Sequence, residues 1–524
     1  MELPSIQGGV FSILPPLIAI SLALLTKEVI FSLLLGILSG TLIYSLLSGL
    51  GFAAVFQISI DLMIAKTGAN ASMIIFLALL GALAALITRA GGSRAYGVWA
   101  AERLKTRESA SLAAGLLGIL IFIDDYFNCL TVGTVMKPVT DRYGISREKL
   151  AYLIDATAAP ICIIAPISSW AASVISYYPT KTGITGMQAF VGSIPMNLYA
   201  VLTILMALWL SVRKNGDYGP MAAAQSRAEI QGADARAGGS AGELPELTAC
   251  GRGRVADLVI PVLFLVFFSI IAMLSYGGFW KLDRAEGFWS RLATAFGNTN
   301  AGPALSLGGF ASIGAAFLLF IPRRLMGFSD FFFSIIAGVK SMVPAMIILT
   351  LAWTISGVCR DLLETGPYAA SLVEQSRLPA AFIPAIMFLI AAGLSFATGT
   401  AWGTFGILIP ITISVCDTVA PWLSVTSLSA VLAGSVFGDH CSPISDTTIL
   451  SSTGAGCGHI DHVTTQIPYA LTVAAVCVIG YLVAGFTARL GFRASAAITL
   501  PVCLALLFPA LLVLPRLYRR SREP

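Results

Sequence analysis

Carboxylates, amides and hydroxyls recur at a few points inside otherwise apolar stretches of the chain. The first group is the tandem pair Asp124 and Asp125, followed by Asn128, Thr131 and Thr134. Two neighbouring carboxylates in a medium of low dielectric resist simultaneous ionisation, so they share a proton or are neutralised by a cation. The mixture of oxygen types suits a hard cation such as sodium. A helix cap is the alternative interpretation, because Asp and Asn favour the start of a helix.

A second group surrounds Asp155 in the segment YLIDATAAPICIIAPISSW. Pro160 and Pro166 each remove a backbone donor and interrupt a helix, which frees carbonyl oxygens as ion ligands. The segment adds hydroxyl groups at Thr157, Ser168 and Ser169. A kinked helix whose hydroxyls satisfy its own backbone would explain the same residues.

The most polar stretch within any apolar segment is GDHCSPISDTTILSS, at 438–452. Its candidate ligands are Asp439, His440, Ser442, Ser445, Asp446 and Thr447. Imidazole titrates near neutral pH, so His440 would suit a proton-linked step, although a buried and hydrogen-bonded histidine is equally compatible. His459 and His462 follow in CGHIDH, and we expect them in a surface loop, because one short patch holds too few ligands for a metal.

Small and hydroxyl-bearing residues form a further candidate group in TGTAWG, at 398–403. Thr398 and Thr400 flank Gly399, and residues this small let the backbone approach an ion or a solute closely. Close packing of a helical hairpin is the alternative interpretation.

These groups lie in a chain of 524 residues that is 57% hydrophobic and only 11% charged, with a mean hydropathy of +0.86. Soluble domains carry about 25% charged residues. Apolar runs of about 17–25 residues recur, long enough to cross a bilayer as helices. Alternating strand patterns are absent, so the composition predicts an all-α polytopic membrane protein. The net charge of +5 is modest and indicates no nucleic-acid partner.

The chain contains an internal duplication at a nearly constant separation. GFAAVF at 51–56 matches GFSDFF at 327–332, and Pro138 matches Pro410. Farther along, Pro160 pairs with Pro443 at a larger separation, which implies an insertion in the second half. The duplication predicts a first repeat at 1–212, a flexible polar linker loop at 213–255, a second repeat at 256–490, and an extra C-terminal transmembrane helix with a basic tail at 491–524.

Loop charges indicate that the two repeats are inverted in the membrane. Lys and Arg mark cytoplasmic loops, and the loops at 89–107 and 137–149 are both basic, whereas the turn at 49–51 has no charge. In the second repeat the pattern is reversed, because Arg323 and Arg324 occupy the counterpart of that uncharged turn. Many secondary transporters have such inverted repeats.

This topology requires two re-entrant hairpins. The apolar segment between the two inside loops must enter the membrane and return, with its turn near 124–128, and its counterpart turns near 398–403. With broken helices at 150–178 and 426–455, the sequence predicts about eleven transmembrane helices and two re-entrant helical hairpins. The predicted unbroken spans are 10–26, 28–48, 71–88, 190–212, 256–276, 301–321, 341–359, 467–487 and 494–515.

The two halves differ in the side chains at their corresponding breaks. Asp124 and Asp125 align with Phe396 and Ala397, so the first hairpin is acidic and the second is rich in hydroxyls. We therefore expect an asymmetric site within a symmetric scaffold.

At FIDDYFNCLTVGTVMKP and FGDHCSPISDTT the sequence resembles the NhaC-type sodium/proton antiporter family of the ion transporter superfamily. The pattern at 438–448 is its most specific element, and the resemblance covers about 10–490. It implies inverted repeats, two re-entrant hairpins, often elevator-type movement, and often a homodimer. The ion or substrate candidates that it implies are Asp124, Asp125, Asn128, Asp155, Thr398, Thr400, Asp439, Ser442, Ser445, Asp446 and Thr447.

The leading hypothesis is a secondary active transporter of the cell membrane that exchanges sodium for protons by alternating access, with neither enzymatic activity nor a cofactor. The alternative is a sodium- or proton-coupled transporter of an amino acid or organic acid. An intramembrane aspartyl protease would need Gly-x-Gly-Asp, and Val436 replaces the first glycine. A passive channel is disfavoured, because broken helices with closely placed acids favour occlusion. The expected partners are sodium ions, protons, a small organic solute in the alternative, and the lipid bilayer.

Overall fold

The computed structural model describes residues 4–26, 28–122, 125–166, 168–178, 186–231, 251–281, 287–299, 301–365, 367–368 and 379–520. Within these ranges every regular element is helical. Ten helices there are long and apolar enough to cross a membrane, or eleven if the bent pair Gln188–Met196 and Leu198–Val212 counts as one span. The prediction of an all-α polytopic membrane protein is confirmed.

Two hairpins stand at corresponding places in the two halves. Hairpin 1 consists of Arg107–Leu120 and Asp125–Arg142, and hairpin 2 consists of Ile383–Thr398 and Ala401–Val419. In each hairpin the two helices contact one another. Gly399 makes the turn of hairpin 2 with a left-handed φ of 67°, which a residue without a side chain adopts at little cost.

Two broken helices follow the hairpins. Broken helix 1 consists of Arg147–Asp155, the single turn Ala159–Cys162 and Ser169–Tyr177. Broken helix 2 consists of Ser424–Cys441 and Asp446–Ala455. Each break lies beside a proline, which disfavours helical backbone at the residue before it. The hydroxyls of Ser168 and Ser445 cap the helices that resume, as serine commonly does.

The hairpins, the broken helices and most of the remaining helices fall into two groups by their contacts. The scaffold group packs together and consists of Leu14–Thr26, Val29–Leu47, Phe52–Ala69, Ala71–Ala90, Ala256–Tyr276, Ala301–Phe320 and Phe328–Gly357. The hairpin group consists of both hairpins, both broken helices, Leu198–Val212 and His459–Thr487. Phe492–Arg520 packs on the last of these, and shorter helices are Gly92–Arg103, Gly186–Ser193 and Phe288–Asn298.

One long apolar helix is missing from the sequence-based inventory. Phe52–Ala69 has a mean hydropathy of only 1.3, against 2.5 for the helix Ala71–Ala90 that follows it after Asn70. Asp61 and Lys66 lower the value, because charged residues dominate a hydropathy average. In the second half the counterpart is a single 30-residue helix, Phe328–Gly357, of which the sequence predicted only the second part.

The polar linker predicted as a flexible loop over 213–255 is partly helical. Gly219–Gln231 forms a helix, and 232–250 lie outside the described residues. The buried Lys149 ammonium donates to Asp217 at 2.8 Å, and the Gln225 amide donates to the Gly144 carbonyl at 2.7 Å. These contacts hold the start of the linker against broken helix 1 and the turn before it, which the polar composition of the linker did not indicate.

We expect 52–90 to cross the membrane once, as its counterpart Phe328–Gly357 does in a single helix. In a background without native cysteines, Ser48→Cys should react with a membrane-impermeant maleimide from outside the cell. Lys105→Cys should react only after permeabilisation, and both side chains are exposed. Labelling of both positions from the same side would show that the two first-half helices cross separately.

Candidate functional site

The tip of hairpin 2 packs against the break in broken helix 2. A methyl group added at Gly399 would lie 2.5 Å from the Ile444 carbonyl oxygen, so only glycine allows this approach. Beside the turn, the Ser442 hydroxyl donates to the Phe396 carbonyl at 2.7 Å. These contacts hold the break and the hairpin tip at one place.

The tip of hairpin 1 packs in the same way against the break in broken helix 1. The Asn128 amide donates to the carbonyls of Gly118 at 2.7 Å, Ile121 at 2.8 Å and Thr157 at 3.1 Å. Its Oδ1 atom is buried and has no hydrogen-bond partner among the described residues. Asn128 therefore ties the hairpin to the break with its amino group and keeps an acceptor oxygen available.

Broken helix 2 joins the two halves, because Asp446–Ala455 lies between hairpin 1 and broken helix 1. A methyl group added at Gly133 would lie 2.5 Å from the backbone of Gly454, so the two helices touch through glycine. On another face, the Thr448 hydroxyl donates to Asp155 Oδ2 at 3.2 Å. Both breaks and both hairpin tips thus converge on one buried region.

Four buried carboxylates, the carboxylate cluster, occupy this region, and they are Asp125, Asp155, Asp439 and Asp446. Their exposed fractions run from 0% to 8%. The Asp439 Oδ2 atom accepts from the Thr447 hydroxyl at 3.1 Å, while its Oδ1 atom has no hydrogen-bond partner in the described part of the chain. The charges of the other three acids act on Asp439. Asp439 is therefore the electrostatic centre of the cluster.

Asp446 reaches from the cluster to the surface of a cavity. Its Oδ2 atom accepts from the Tyr126 hydroxyl at 2.5 Å, and its Oδ1 atom accepts from the Thr447 backbone amide at 2.9 Å. The cavity has a volume of about 470 Å³ and separates the hairpin group from the scaffold group, which contributes Trp353 and Arg360.

Two histidines and a glutamine lie beside Asp155. The Gln466 amide donates to Asp155 Oδ2 at 2.8 Å, and His462 Nε2 lies 3.2 Å from the same oxygen. His440 Nε2 is 3.9 Å from it, and His440 Nδ1 lies 2.7 Å from the Tyr199 hydroxyl. Asp155 thus has protonatable neighbours of its own, apart from the oxygen ligands around Asp439.

The prediction that His459 and His462 lie in a surface loop is wrong. Both stand in the first turn of His459–Thr487, and His462 is fully buried. The predicted span began only at 467, because the polar first turns of this helix lower its hydropathy. The signal that could have found the site is the spacing of His462 and Gln466, which puts both side chains on one helix face.

The structure brings most predicted site residues together. The convergent set is Asp125, Asn128, Asp155, Thr157, Asp439, His440, Ser442, Ser445, Asp446 and Thr447. Thr131 is buried one turn beyond Asn128, and its hydroxyl has no hydrogen-bond partner within the described ranges. Asp124 and the side chain of Ser169 lie outside the described residues.

Three predicted ligands have mainly local roles. The Ser168 hydroxyl donates to the Cys162 carbonyl at 2.7 Å and caps the helix that resumes. The Thr398 hydroxyl donates to Leu394 within its own helix at 2.8 Å, and Thr400 caps the second helix of hairpin 2. Sequence reasoning missed Tyr126 and Gln466, which carry no charge, although Tyr126 directly follows the tandem acids.

The sequence of 162–486, more than half of the chain, matches the Na+/H+ antiporter family. The chain belongs to this family. The match confirms the resemblance seen at the two polar motifs. With its many spanning helices, the chain is therefore a multi-pass membrane transporter of the antiporter class.

The names of similar proteins mention different substrates. An uncharacterized protein of Haemophilus influenzae is 42% identical over 507 residues, which is 95% of each chain. A malate-2H(+)/Na(+)-lactate antiporter of Bacillus subtilis is 28% identical over 39% of this chain and 45% of its own. An arginine/ornithine antiporter of Halobacterium salinarum is 30% identical over 30% of this chain and 31% of its own.

We expect Gly118→Ala to impair both stability and transport. The added methyl group would lie 2.0 Å from the Thr157 hydroxyl and would force hairpin 1 away from broken helix 1. Such overpacking costs about 1–3 kcal/mol, more than the roughly 1 kcal/mol that alanine gains over glycine in a helix. The thermal unfolding temperature in detergent and the transport rate in proteoliposomes measure the two effects.

Gly115→Ala is the matched control on the same helix, because its new methyl group would lie 3.6 Å from the nearest atom. If the Gly118 variant is as stable and active as the Gly115 variant, the contact between hairpin tip and break is unimportant.

Proposed function

We propose that the chain exchanges Na+ for H+ across the membrane by alternating access, with Asp439 as the central cation ligand. The observation that supports this proposal is the carboxylate cluster, in which four acids are buried together. The partners described for Asp155, Asp439 and Asp446 are hydroxyls, a backbone amide, a glutamine amide and histidines, and the described residues supply no Lys or Arg to these three.

Burial makes this concentration of charge unstable without further cations. Removing one ion from water costs several kcal/mol even after relaxation, and neighbouring negative charges add repulsion. Either protons or metal cations must therefore neutralise part of the cluster. Because both neutralise the same oxygens, Na+ and H+ compete for the site, and this competition is the basis of exchange.

Oxygen atoms without a hydrogen-bond partner on Asp439 and on hairpin 1 would suit Na+. The Oδ1 atom of Asp439 and the Oδ1 atom of Asn128 have no hydrogen-bond partner among the described residues, and neither has the Thr131 hydroxyl. Asn128 and Thr131 are three residues apart in the second helix of hairpin 1, so their side chains share a helix face. One carboxylate with neutral amide and hydroxyl oxygens would replace the hydration shell of the ion.

Protons have a second place to bind, at Asp155 and its histidines. His462 and His440 approach the same oxygen of Asp155 from two elements. A proton held between these groups would change the charge beside Asp439 without displacing its oxygen ligands. In this proposal, Thr448 relays the change, because its hydroxyl contacts both Asp155 and the Asp439 carbonyl.

The two helix groups would provide alternating access. The carboxylate cluster lies within the hairpin group, and Asp446 at its edge faces the cavity shared with the scaffold group. Displacement of the hairpin group along the scaffold group would carry the bound cation between the two sides. Inverted repeats supply the two related conformations that such movement requires.

We expect Asp439→Asn to abolish Na+-dependent dissipation of a pH gradient in everted vesicles or proteoliposomes. Loss of the central charged ligand should lower Na+ affinity by about tenfold or more, because an interaction of about 1.4 kcal/mol already changes affinity tenfold. The measurement is the fluorescence of a pH-sensitive dye after addition of NaCl, with ²²Na+ efflux as a second readout.

Asp417→Asn is the control, because that carboxylate is exposed and lies far along hairpin 2 from its tip. Equal exchange by the two variants would rule out Asp439 as the central ligand. If the unmodified protein shows no exchange with NaCl, LiCl or KCl, simple cation antiport is wrong.

A second candidate is the coupled transport of an organic solute. The cavity beside Asp446, at about 470 Å³, is far larger than a sodium ion requires. Two relatives are named for organic acids and for amino acids. In this alternative the carboxylate cluster would still bind the coupling cation, and the cavity would hold the solute.

A further inference from the structure

We infer that the cavity between the scaffold group and the hairpin group binds a small organic carboxylate, with the Arg360 guanidinium as its principal ligand. The inference rests on the proposed function only in taking the carboxylate cluster as the coupling cation site. Its own basis is the set of positive and aromatic groups that line the cavity together with Asp446.

The dimensions and walls of the cavity suit a small solute. Its volume of about 470 Å³ falls in the range of about 300–1,000 Å³ that ligand sites occupy. The scaffold group contributes Trp353 and Arg360, and the tip of hairpin 2 contributes Thr400 and Trp402. Aromatic faces with a few convergent polar groups are typical of sites for organic ligands.

Arg360 stands on an unusual turn of the backbone. The helix Phe328–Gly357 ends in a π-helical turn, Val358–Leu362, and such turns often occur at functional sites. Arg360 Nε donates to Asp361 at 2.8 Å. Its two Nη groups have no hydrogen-bond partner within the described ranges, and Nη1 would lie 3.8 Å from a methyl group added at Gly403. The guanidinium therefore directs open donors to the tip of hairpin 2.

The positive charge beside the cavity is only partly balanced. Asp361 is paired with Arg360 and also with Lys66 from Phe52–Ala69. One carboxylate shared by two cations leaves an excess positive charge at this wall. A guanidinium binds a carboxylate through two parallel hydrogen bonds, so this wall would select a carboxylate ligand.

Hairpin 2 adds a second attraction for an anion. Its second helix begins at Ala401, directly opposite Arg360, and a helix N-terminus carries a partial positive charge. Gly403 places no side chain between this helix end and the Arg360 guanidinium. The Trp402 Nε1 atom is buried without a hydrogen-bond partner among the described residues. An anion here would contact both helix groups at once.

The cavity lining also contains an acidic group. Asp446 lies there with Tyr126 hydrogen-bonded to it, and the Trp353 side chain also interacts with it. A solute whose carboxylate binds Arg360 would share the cavity with Asp446, which belongs to the carboxylate cluster. A cation bound in the cluster would remove the repulsion between Asp446 and the solute, which couples the two ligands.

The test is solute counterflow with purified protein in proteoliposomes. Radiolabelled L-lactate and L-malate represent hydroxy acids, and L-arginine and L-ornithine represent amino acids. We expect at least one probe to exchange in a Na+- or pH-dependent manner, and Arg360→Gln should raise its half-saturating concentration by about tenfold or more. Arg360→Lys should lie between, because lysine keeps the charge and loses the paired donors.

Lys340→Gln is the matched control, because it removes a positive charge from an exposed position on the same helix, away from the cavity. Thermal unfolding of each variant, with and without the transported probe, separates loss of binding from loss of folding. A variant that unfolds at the same temperature as the unmodified protein but is no longer stabilised by the probe supports the inference.

The two proposals fail in different ways. If none of the four carboxylates is exchanged or stabilises the protein, or if Arg360→Gln and Arg360→Lys leave half-saturation unchanged, the carboxylate site is wrong, while Na+/H+ exchange is unaffected. If a carboxylate is exchanged and depends on Arg360 but neither Na+ nor pH alters its transport, the proposed cation coupling is wrong and the carboxylate site stands.

Discussion

The main constraint on this structure is that four carboxylates must be buried in a protein that lies mostly in lipid. Charged groups at such depth are expensive, and two adjacent acids are more so. Asp125, Asp155, Asp439 and Asp446 nevertheless lie together with at most 8% of any one exposed. Helices that run unbroken across the bilayer would offer these acids only side chains. The hairpin tips and helix breaks provide backbone groups and short hydroxyl residues at the same depth.

The arrangement is maintained by very close backbone contacts. Gly118 touches Thr157, Gly133 touches Gly454, and Gly399 touches Ile444. Each contact joins a hairpin to a broken helix, and together they connect the two halves of the chain. Without a hydrophobic driving force between helices in lipid, small residues allow the close packing that holds such a site. The polar centre therefore relies on a surrounding shell of glycines as much as on its own hydrogen bonds.

Much of this architecture could be predicted from the chain, for identifiable reasons. Basic loops on both sides of an apolar segment located the hairpins, and prolines located the breaks, because proline acts locally on the backbone. The predictions failed where charged or polar residues lie within long helices. Asp61 and Lys66 concealed the helix Phe52–Ala69, and the polar first turns of His459–Thr487 concealed His462. The partners of Asp155 come from elements far apart in sequence, so only the tertiary structure shows which side chains meet.

The buried pair of Lys149 and Asp217 has a mechanical consequence. With Tyr469, which also donates to Asp217, it fixes the segment that follows Leu198–Val212 to the hairpin group. The far end of that segment enters the scaffold group at Ala256. The chain runs 25 residues from Gln231 to Ala256. A chain of this length can span about 80 Å, so the covalent link between the halves is long enough for the proposed displacement of one helix group along the other.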